Sequence, residues 1–265
     1  MEIDKIYNID CIEGMKEMPD DFVDLTITSP PWGNIRNFGG HNDYDFEECA
    51  KQLFRITKEG RCVVWVVGDQ TIDGDETGVP FEQALYFKKI GFKLLDTMIY
   101  QKNSTLMGSP NRYKQCFEYM FVFTKGKVKV VNLIKDRANK LSGRELGITK
   151  RRKGDILVSA PRRKVQPYGV RYNIWTYITG SYSITSDMDA FLHPAMFPEQ
   201  LAKDHIISWS NEGDLVFDPF SGSGTTCKMA YLLKRHYLGM EINPEYYELS
   251  IKRMERVKKQ GMLGL

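Results

Sequence analysis

Two tight, oxygen-rich turns follow apolar runs at opposite ends of the chain. The first, called here the proline turn, is Thr28-Ser29-Pro30-Pro31-Trp32. The second, the glycine turn, runs from Asp218 to Thr226 with the sequence Asp-Pro-Phe-Ser-Gly-Ser-Gly-Thr-Thr. Each apolar run has strand character, so both turns should lie at carboxyl ends of strands in one sheet, where open α/β sheets bind their ligands. The sequence therefore predicts one ligand-binding edge made from two distant parts of the chain.

Strand-like and helix-like segments alternate along the chain, which is the pattern of a mostly parallel sheet with crossover helices. The run Arg61–Val67 is apolar throughout and predicts a central strand covered on both faces. Phe92–Tyr100 and Phe117–Thr124 have no obvious helix between them, so we expect an antiparallel pair at one edge. Pro80 and Pro198 each fit the first position of a helix. The glycine-turn βαβ unit, usually first in a Rossmann-like chain, comes last here.

Length, charge and cysteine content limit the class of protein. The 265 residues can hold one α/β domain and a smaller module. No run approaches membrane-spanning length and the acidic start does not resemble a signal peptide, so we expect a cytoplasmic protein without a membrane partner. The five cysteines are odd in number and form no Cys-x-x-Cys pair, which argues against a disulfide framework and a thiolate metal site.

The positive charge is concentrated in one stretch. From Lys125 to Trp175 there are fifteen Lys and Arg and three acids, in a chain whose net charge is only +3. Such a density is typical of a surface that binds a phosphate backbone. The alternative is a solvated surface loop.

The glycine turn has features of a nucleoside site. Glycines after a strand let the backbone approach a ligand, and the following helix N-terminus offers amide donors. Glu241 ends the next strand about 20 residues later, where an acid can bind ribose hydroxyls. Together these features indicate an adenosine-containing ligand, although the Ser-Gly-Ser-Gly sequence alone would fit a structural turn. The Walker pattern fails because no Lys-Ser or Lys-Thr follows at the required spacing.

The proline turn is suited to holding a flat base. Its two prolines fix φ and remove two amide donors, so its exposed main-chain groups are carbonyl acceptors. Ser29 adds a hydroxyl that can accept, and Trp32 adds a planar face for stacking. This combination matches the amino group of a flipped nucleobase. The alternative is a rigid turn with Trp32 packed in the core.

The two turns together resemble known motifs. Thr28–Trp32 resembles the Ser-Pro-Pro-Tyr/Trp motif of amino-methylating DNA methyltransferases, and Asp218–Thr226 resembles their S-adenosylmethionine motif. Their order is that of the β class, and the resemblance covers essentially the whole chain. It implies a circularly permuted Rossmann-like methyltransferase sheet with helices on both faces and an inserted basic target-recognition region. The implied domains are a catalytic half at 1–124, the recognition insertion at 125–175 and a cofactor half at 176–265.

The resemblance also implies roles for individual residues. The catalytic positions would be Ser29, Pro30, Pro31 and Trp32. The S-adenosylmethionine positions would be Asp10, Cys11, Phe197, Asp218, Pro219, Phe220, Ser221, Gly222, Ser223, Gly224, Thr225, Thr226 and Glu241. The DNA-binding positions would be Arg36, Arg151, Arg152, Lys153, Arg162, Arg163 and Lys164, with Arg36 in a loop at 33–45 beside the proline turn. No metal is implied.

The implied activity is methyl transfer to an exocyclic amine in double-stranded DNA. Ser29 favours cytosine N4, and adenine N6 is the alternative. Transfer to cytosine carbon 5 is disfavoured because that chemistry uses a Pro-Cys dipeptide, which the chain lacks. A homodimer and a cognate restriction endonuclease are partners that the resemblance allows. Two other classes, a DNA-binding module without activity and a nicotinamide-dependent oxidoreductase, account for the motifs less well.

Overall fold

The computed structural model describes residues 1–31, 44–103, 111–146, 150–153, 156–159, 163–178, 185, 187, 196 and 198–263. For 146, 150–153, 156–159 and 261–263 it describes the backbone alone. These residues form two compact units, one of 1–132 with 173–265 and one of 133–172, called here the basic unit. Within the described part of the chain, no helix has the length and apolar character needed to span a membrane.

Among the described residues, the large unit is built on an eight-stranded sheet, with β4 (Thr71–Ile72) and β5 (Asp75–Glu76) as a separate antiparallel pair. In chain order its strands are β1 (Lys5–Tyr7), β2 (Val23–Thr28), β3 (Thr57–Val67), β6 (Phe92–Lys102), β7 (Phe117–Lys125), β14 (Ile174–Tyr177), β15 (Leu215–Asp218) and β16 (His236–Met240). Their spatial order is β1-β16-β15-β2-β3-β7-β6-β14. All neighbours are parallel except β7, which is antiparallel to β3 and β6. The last two strands therefore lie between the first two, and this brings the two turns together.

In the described part of the chain, six helices cover the sheet on both faces. They are α1 (Cys11–Lys16), α2 (Phe46–Ile56), α3 (Val79–Lys89), α4 (Glu199–Trp209), α5 (Thr225–Leu232) and α6 (Pro244–Leu263). Helices α1 to α3 pack on one face and α4 to α6 on the other. Strand β3 faces both layers, since Val64 and Val66 pack with α4 to α6 while Val63 and Trp65 pack with α1 to α3. The continuous apolar run in β3 thus marks a doubly covered strand, as predicted.

Several local predictions need correction. The β6–β7 pair is antiparallel as expected, but β14 lies outside it and forms the edge. Strand β14 alternates exposed and buried residues, and its buried Trp175 and Tyr177 anchor it in the core. Pro198 is the N-cap of α4, and Pro80 is the second residue of α3 after the N-cap Gly78. Proline is tolerated at both positions, because the first backbone N–H groups of a helix have no hydrogen-bond partner within the helix.

The basic unit is a set of short antiparallel pairs. Its strands are β8 (Arg137–Ala138), β9 (Glu145–Leu146), β10 (Lys150–Lys153), β11 (Ile156–Ser159), β12 (Arg163–Lys164) and β13 (Tyr168–Gly169). They pair as β8 with β13, β9 with β12 and β10 with β11. The last two pairs share one register. Their described segments, 145–146, 150–153, 156–159 and 163–164, are called here the arm. The unit is shorter at both ends than the 125–175 insertion expected from charge.

Candidate active site

The proline and glycine turns leave neighbouring parallel strands at the same edge of the sheet. Strand β15 pairs with β2 in the register Val216 to Leu25 and Phe217 to Thr26. A direct bond then joins the two strand ends, because Thr28 Oγ1 donates to Asp218 Oδ1 at 2.6 Å. Both side chains are buried. The two distant turns therefore meet at one edge of the sheet, as the sequence predicted, and ligand binding at this edge stays a prediction.

Asp218 is the buried carboxylate at the centre of this junction. Besides the Thr28 hydroxyl, it accepts the amide of Phe220 at 3.1 Å. Burial raises the pKa of Asp218 to about 6, although the Thr28 hydroxyl, the nearby Thr226 hydroxyl and the Phe220 amide oppose the shift. Its Oδ1 accepts both hydrogen bonds, which hold the glycine turn against β2.

Glu241 follows β16 and is fixed by two amides of the protein. Its Oε2 accepts from the amide of Gly222 at 2.8 Å, and its Oε1 accepts from the amide of Asn243 at 2.9 Å. Burial raises the pKa of this carboxyl, with the two amide bonds opposing. A carboxylate oxygen can accept more than one hydrogen bond. Glu241 is therefore held in one orientation with acceptor capacity left, and this fits a pair of ribose hydroxyls.

Two positions of the glycine turn have a backbone conformation that favours glycine. Gly222 and Gly224 have φ of +50° and +78°, in the region that favours glycine. A Cβ on Gly224 would also stand 3.0 Å from the Cβ of Ser250. Because Gly224 is the N-cap of α5 and has no side chain, α5 begins without a capping hydrogen bond. Its first-turn amides can serve a carboxylate or phosphate of a ligand.

The side chains of the glycine turn differ in exposure and partners. Phe220 is partly exposed and makes an edge-to-face contact with Tyr44, at 4.8 Å between ring centroids. Pro219, Ser221, Ser223, Thr225 and Thr226 are buried. The Thr226 hydroxyl donates to the carbonyl of Ile27 at 3.3 Å, so it too fastens the turn to β2. The turn therefore offers mainly its backbone to a ligand, and cofactor contacts of the turn stay predictions.

The described part of the proline turn lies directly after β2. Ser29 and Pro31 are partly exposed and Pro30 is buried. Trp32, the stacking residue of the prediction, lies outside the described residues, as do Arg36 and Phe197. Of the predicted loop at 33–45, Asp45 is described, and its carboxylate caps α2 by accepting the amide of Glu48 at 3.0 Å.

Asp10 and Cys11 have structural roles at the start of α1. Asp10 is its N-cap, accepting the amides of Ile12 and Glu13 at 2.8 and 3.1 Å. Cys11 is buried in the core with α2. All five cysteines are free, and four are buried. Among the described residues, no group of three or more His, Cys, Asp or Glu could hold a metal ion.

Apart from Arg36, the predicted DNA-binding residues lie within the sequence bounds of the basic unit. Arg151, Arg152 and Lys153 lie in β10, where the backbone is described, and Arg162 lies outside the described residues. Arg163 and Lys164 form β12 and are exposed. The five described positions share the arm, because β9–β12 and β10–β11 have one register.

Sequence reasoning missed four residues that shape the site. Thr28 joins the two strand ends and Tyr44 packs on Phe220. Asn243 donates its amide to Glu241 and caps α6 through its side chain, which accepts the amide of Glu245 at 2.8 Å. Asn before Pro-Glu is a helix-start signal that could have identified Asn243. Arg253, which contacts the glycine turn from α6, has no sequence signal.

Comparison with known proteins agrees with this geometry. The family model N6_N4_Mtase, described as DNA methylase, matches residues 23–252. The chain is 52% identical over 245 residues to the orphan methyltransferase M.BamHII of Bacillus amyloliquefaciens, covering 91% of this chain and 92% of that protein. It is 27% identical over 261 residues to the DNA adenine methyltransferase YhdJ of Escherichia coli (strain K12), covering 96% of this chain and 83% of that one.

The fold is also that of a solved methyltransferase. The structure of the PvuII DNA methyltransferase (cytosine-N4-specific) superimposes with a TM-score of 0.68 at 19% identity, covering 96% of this chain and 90% of that one. The resemblance seen in the two turns is thus confirmed over nearly the whole chain. The chain belongs to the N6_N4_Mtase family of DNA methylases and is a DNA methyltransferase of the N4/N6 class.

Proposed function

We propose that this enzyme transfers a methyl group from S-adenosylmethionine to the exocyclic N4 of a flipped-out cytosine at a specific site in double-stranded DNA. The observation that carries the proposal is the Thr28–Asp218 hydrogen bond, which joins the ends of β2 and β15. It puts the acceptors of the proline turn beside the turn that fits a nucleoside cofactor. Methyl donor and amine acceptor can then be bound at one edge of the sheet.

The residues present fit S-adenosylmethionine. Glu241, fixed by the amides of Gly222 and Asn243, would accept the ribose hydroxyls. The uncapped start of α5 would donate amides to the carboxylate of the methionine part. When bound, the cofactor supplies a methyl group already activated by a sulfonium leaving group. The protein must position the amine and exclude competing geometries.

The proline turn would prepare the amine. The lone pair of an exocyclic amine is delocalised into the base ring, which makes the nitrogen a poor nucleophile. The Ser29 hydroxyl and the Pro30 carbonyl would accept hydrogen bonds from the two N–H groups of the amine. These hydrogen bonds would localise the lone pair on nitrogen and aim it at the methyl group. Trp32 would stack on the base after it leaves the duplex.

Adenine N6 is the second candidate. Its support is the relative named as a DNA adenine methyltransferase. The support for cytosine N4 is Ser29 at the first motif position, together with the cytosine-N4-specific structural neighbour. The same acceptors serve either amine, so pocket shape selects the base.

One assay separates these possibilities. The protein is incubated with radiolabelled S-adenosylmethionine and unmethylated genomic DNA, and the nucleosides are identified by mass spectrometry. We expect label in N4-methylcytosine. Label in N6-methyladenine would overturn the base assignment, and an absence of transfer by the folded protein would overturn the activity.

Two substitutions test the roles in the proline turn. Ser29→Ala should lower the single-turnover transfer rate at least about tenfold while cofactor affinity stays nearly unchanged, because one oriented hydrogen bond is lost. Thr97→Ala, which removes an exposed hydroxyl from β6, is the matched control. Trp32→Ala should weaken capture of the flipped base by ~1–3 kcal/mol. If Trp32→Ala mainly lowers the melting temperature and transfer stays normal, Trp32 belongs to the core.

The basic unit would supply contacts to the DNA backbone. A two-stranded antiparallel ribbon fits the major groove of DNA. Exposed Arg163 and Lys164 lie on the return strand of the arm, opposite Leu146 and Glu145. We propose that this arm contacts the phosphates, with a homodimer and a cognate endonuclease as further candidate partners.

Salt dependence tests the arm. The double variant Arg163→Ala with Lys164→Ala should reduce the slope of log affinity against log salt by about 2, since each phosphate contact contributes about 0.9. Alanine at the exposed pair Lys88 and Lys89 of α3 is the control for loss of two positive charges. Equal slopes for the two double variants would show that the pair on the arm acts only through general charge.

A further inference from the structure

Two buried cations on the last two helices each contact the same two partly exposed carboxylates. Arg253 of α6 is 1% exposed and Lys228 of α5 is 4% exposed. Lys228 Nζ lies 2.7 Å from both Asp187 and Glu199. Arg253 pairs with the same two acids, at 3.1 Å from Nε to Asp187 and 2.9 Å from Nη2 to Glu199. Each charge in this group, called here the buried ion cluster, is therefore compensated.

Net stabilisation is a weak explanation for the buried ion cluster. Removing ions from water costs several kcal/mol each, and well-packed apolar residues in their place are often as stable. Burial alone would raise the pKa of Asp187, but Lys228 and Arg253 hold it below its ordinary value. Asp187 thus stays charged and, with Glu199 on the other side, can fix the guanidinium in one orientation. What an apolar replacement could not reproduce is the contact of Arg253 with the glycine turn.

Arg253 contacts the glycine turn through Nη1, the guanidinium nitrogen that does not pair with the two acids. Arg253 Nη1 donates to the carbonyl and the hydroxyl of Ser223 and lies 3.3 Å from Thr225 Oγ1. The Ser223 carbonyl belongs to the peptide that continues into Gly224, whose amide donates to the Ser221 carbonyl at 2.7 Å. This peptide plane is therefore held at both polar ends. It immediately precedes the uncapped start of α5, so its orientation determines where the first amides of α5 point.

We infer that Arg253 is a positioning residue for cofactor binding, which holds the Ser223–Gly224 peptide so that the amides of the glycine turn and α5 face the cofactor. Asp187 and Glu199 orient the guanidinium for this purpose. The inference rests on the proposed placement of S-adenosylmethionine at the glycine turn. It predicts that loss of Arg253 affects cofactor binding more than it affects DNA binding or the rate of transfer.

The test compares Arg253→Met, Arg253→Lys and a control, Lys252→Met, which replaces an exposed cation next to Arg253 on the same helix. Calorimetry gives Kd for S-adenosylmethionine, and titration without cofactor gives Kd for DNA. We expect Arg253→Met to raise Kd for S-adenosylmethionine at least about tenfold, the loss of one charge-assisted bond. Kd for DNA and the transfer rate at saturating cofactor should change less than about twofold. The Lys252→Met protein should match wild type.

A purely structural role gives a different result. If folded Arg253→Met has a lower melting temperature but binds S-adenosylmethionine as wild type does, the inference is wrong. Should Arg253→Met not fold, Arg253→Lys decides, because its single ammonium cannot serve the acids and Ser223 together. Its cofactor affinity should be intermediate, and wild-type affinity would overturn the inference.

A second variant separates this inference from the proposed site itself. Glu241→Gln should weaken S-adenosylmethionine binding if the cofactor lies at the glycine turn. If Glu241→Gln weakens binding and Arg253→Met does not, only the positioning role fails. If both variants bind as wild type does, the proposed cofactor site fails and the positioning role fails with it.

Discussion

Replacing Thr28 with valine tests whether its hydrogen bond to Asp218 ties the two halves of the active site together. Valine keeps the β-branched shape of this fully buried residue and removes the donor to Asp218 Oδ1. The size of the effect depends on the charge of Asp218, whose pKa burial raises to about 6. A bond to a charged acceptor contributes ~1.5–3 kcal/mol and a neutral one ~0.5–1.5 kcal/mol. Thr28→Val should therefore cost more at pH 8 than at pH 5, by about 1 kcal/mol.

The sign follows from linkage. A carboxyl whose pKa is raised by folding favours the native state below its ordinary pKa of 3.8, and this advantage is lost as the pH rises through about 6. Removing the Thr28 donor raises the pKa of Asp218 further, so the loss of stability becomes larger and continues to higher pH. The difference in stability between wild type and variant should narrow as the pH falls, to the cost of the neutral hydrogen bond.

Urea unfolding at pH 5 and pH 8, followed by circular dichroism, measures the difference. Thr28→Ser, which keeps the hydroxyl and loses a methyl group, separates the hydrogen bond from packing. In an Asp218→Asn background, Thr28→Val should have a cost that is nearly independent of pH. An equal cost of Thr28→Val at both pH values in the wild-type background would refute the assignment of a charged, coupled pair.

Three further predictions concern the turns and the core around them. Gly224→Ala should lower the stability of the protein by ~1–2 kcal/mol because of its left-handed backbone, and by a further amount because the new Cβ would crowd Ser250 of α6. Gly74→Ala, at φ +85° with open space around it, should show the backbone cost alone in thermal melts. Burial raises the pKa of Glu241, so its carboxylate is protonated at a higher pH than an ordinary glutamate when the pH is lowered. The affinity of wild type for S-adenosylmethionine, measured by calorimetry, should begin to fall at that higher pH, while Glu241→Gln should bind weakly with little pH dependence. Gln83→Met should leave the buried indole N–H of Trp65 without its acceptor at 2.8 Å and lower the free energy of unfolding by ~1–3 kcal/mol in urea titrations.

The basic unit shows how far charge alone can define a segment. Fifteen cations against three acids between Lys125 and Trp175 indicated an inserted region, but charge does not record which strands pair. Residues 125–132 and 173–175 group with the large unit, and β14 completes its sheet beside β6. The boundaries depend on main-chain pairing between segments about 75 residues apart, which local composition does not encode.

The sequence by itself determined the fold class, the two turns and their order. Apolar runs of strand length, the glycines at Gly222 and Gly224 and the proline pair act locally, through backbone geometry and the spacing of apolar side chains. Only the tertiary structure decided which strands are neighbours, and therefore that Thr28 meets Asp218 across 190 residues. It also decided that Arg253 holds the glycine turn from α6. These contacts depend on burial and on the chain path, because a buried polar group needs a partner from whatever segment packs beside it.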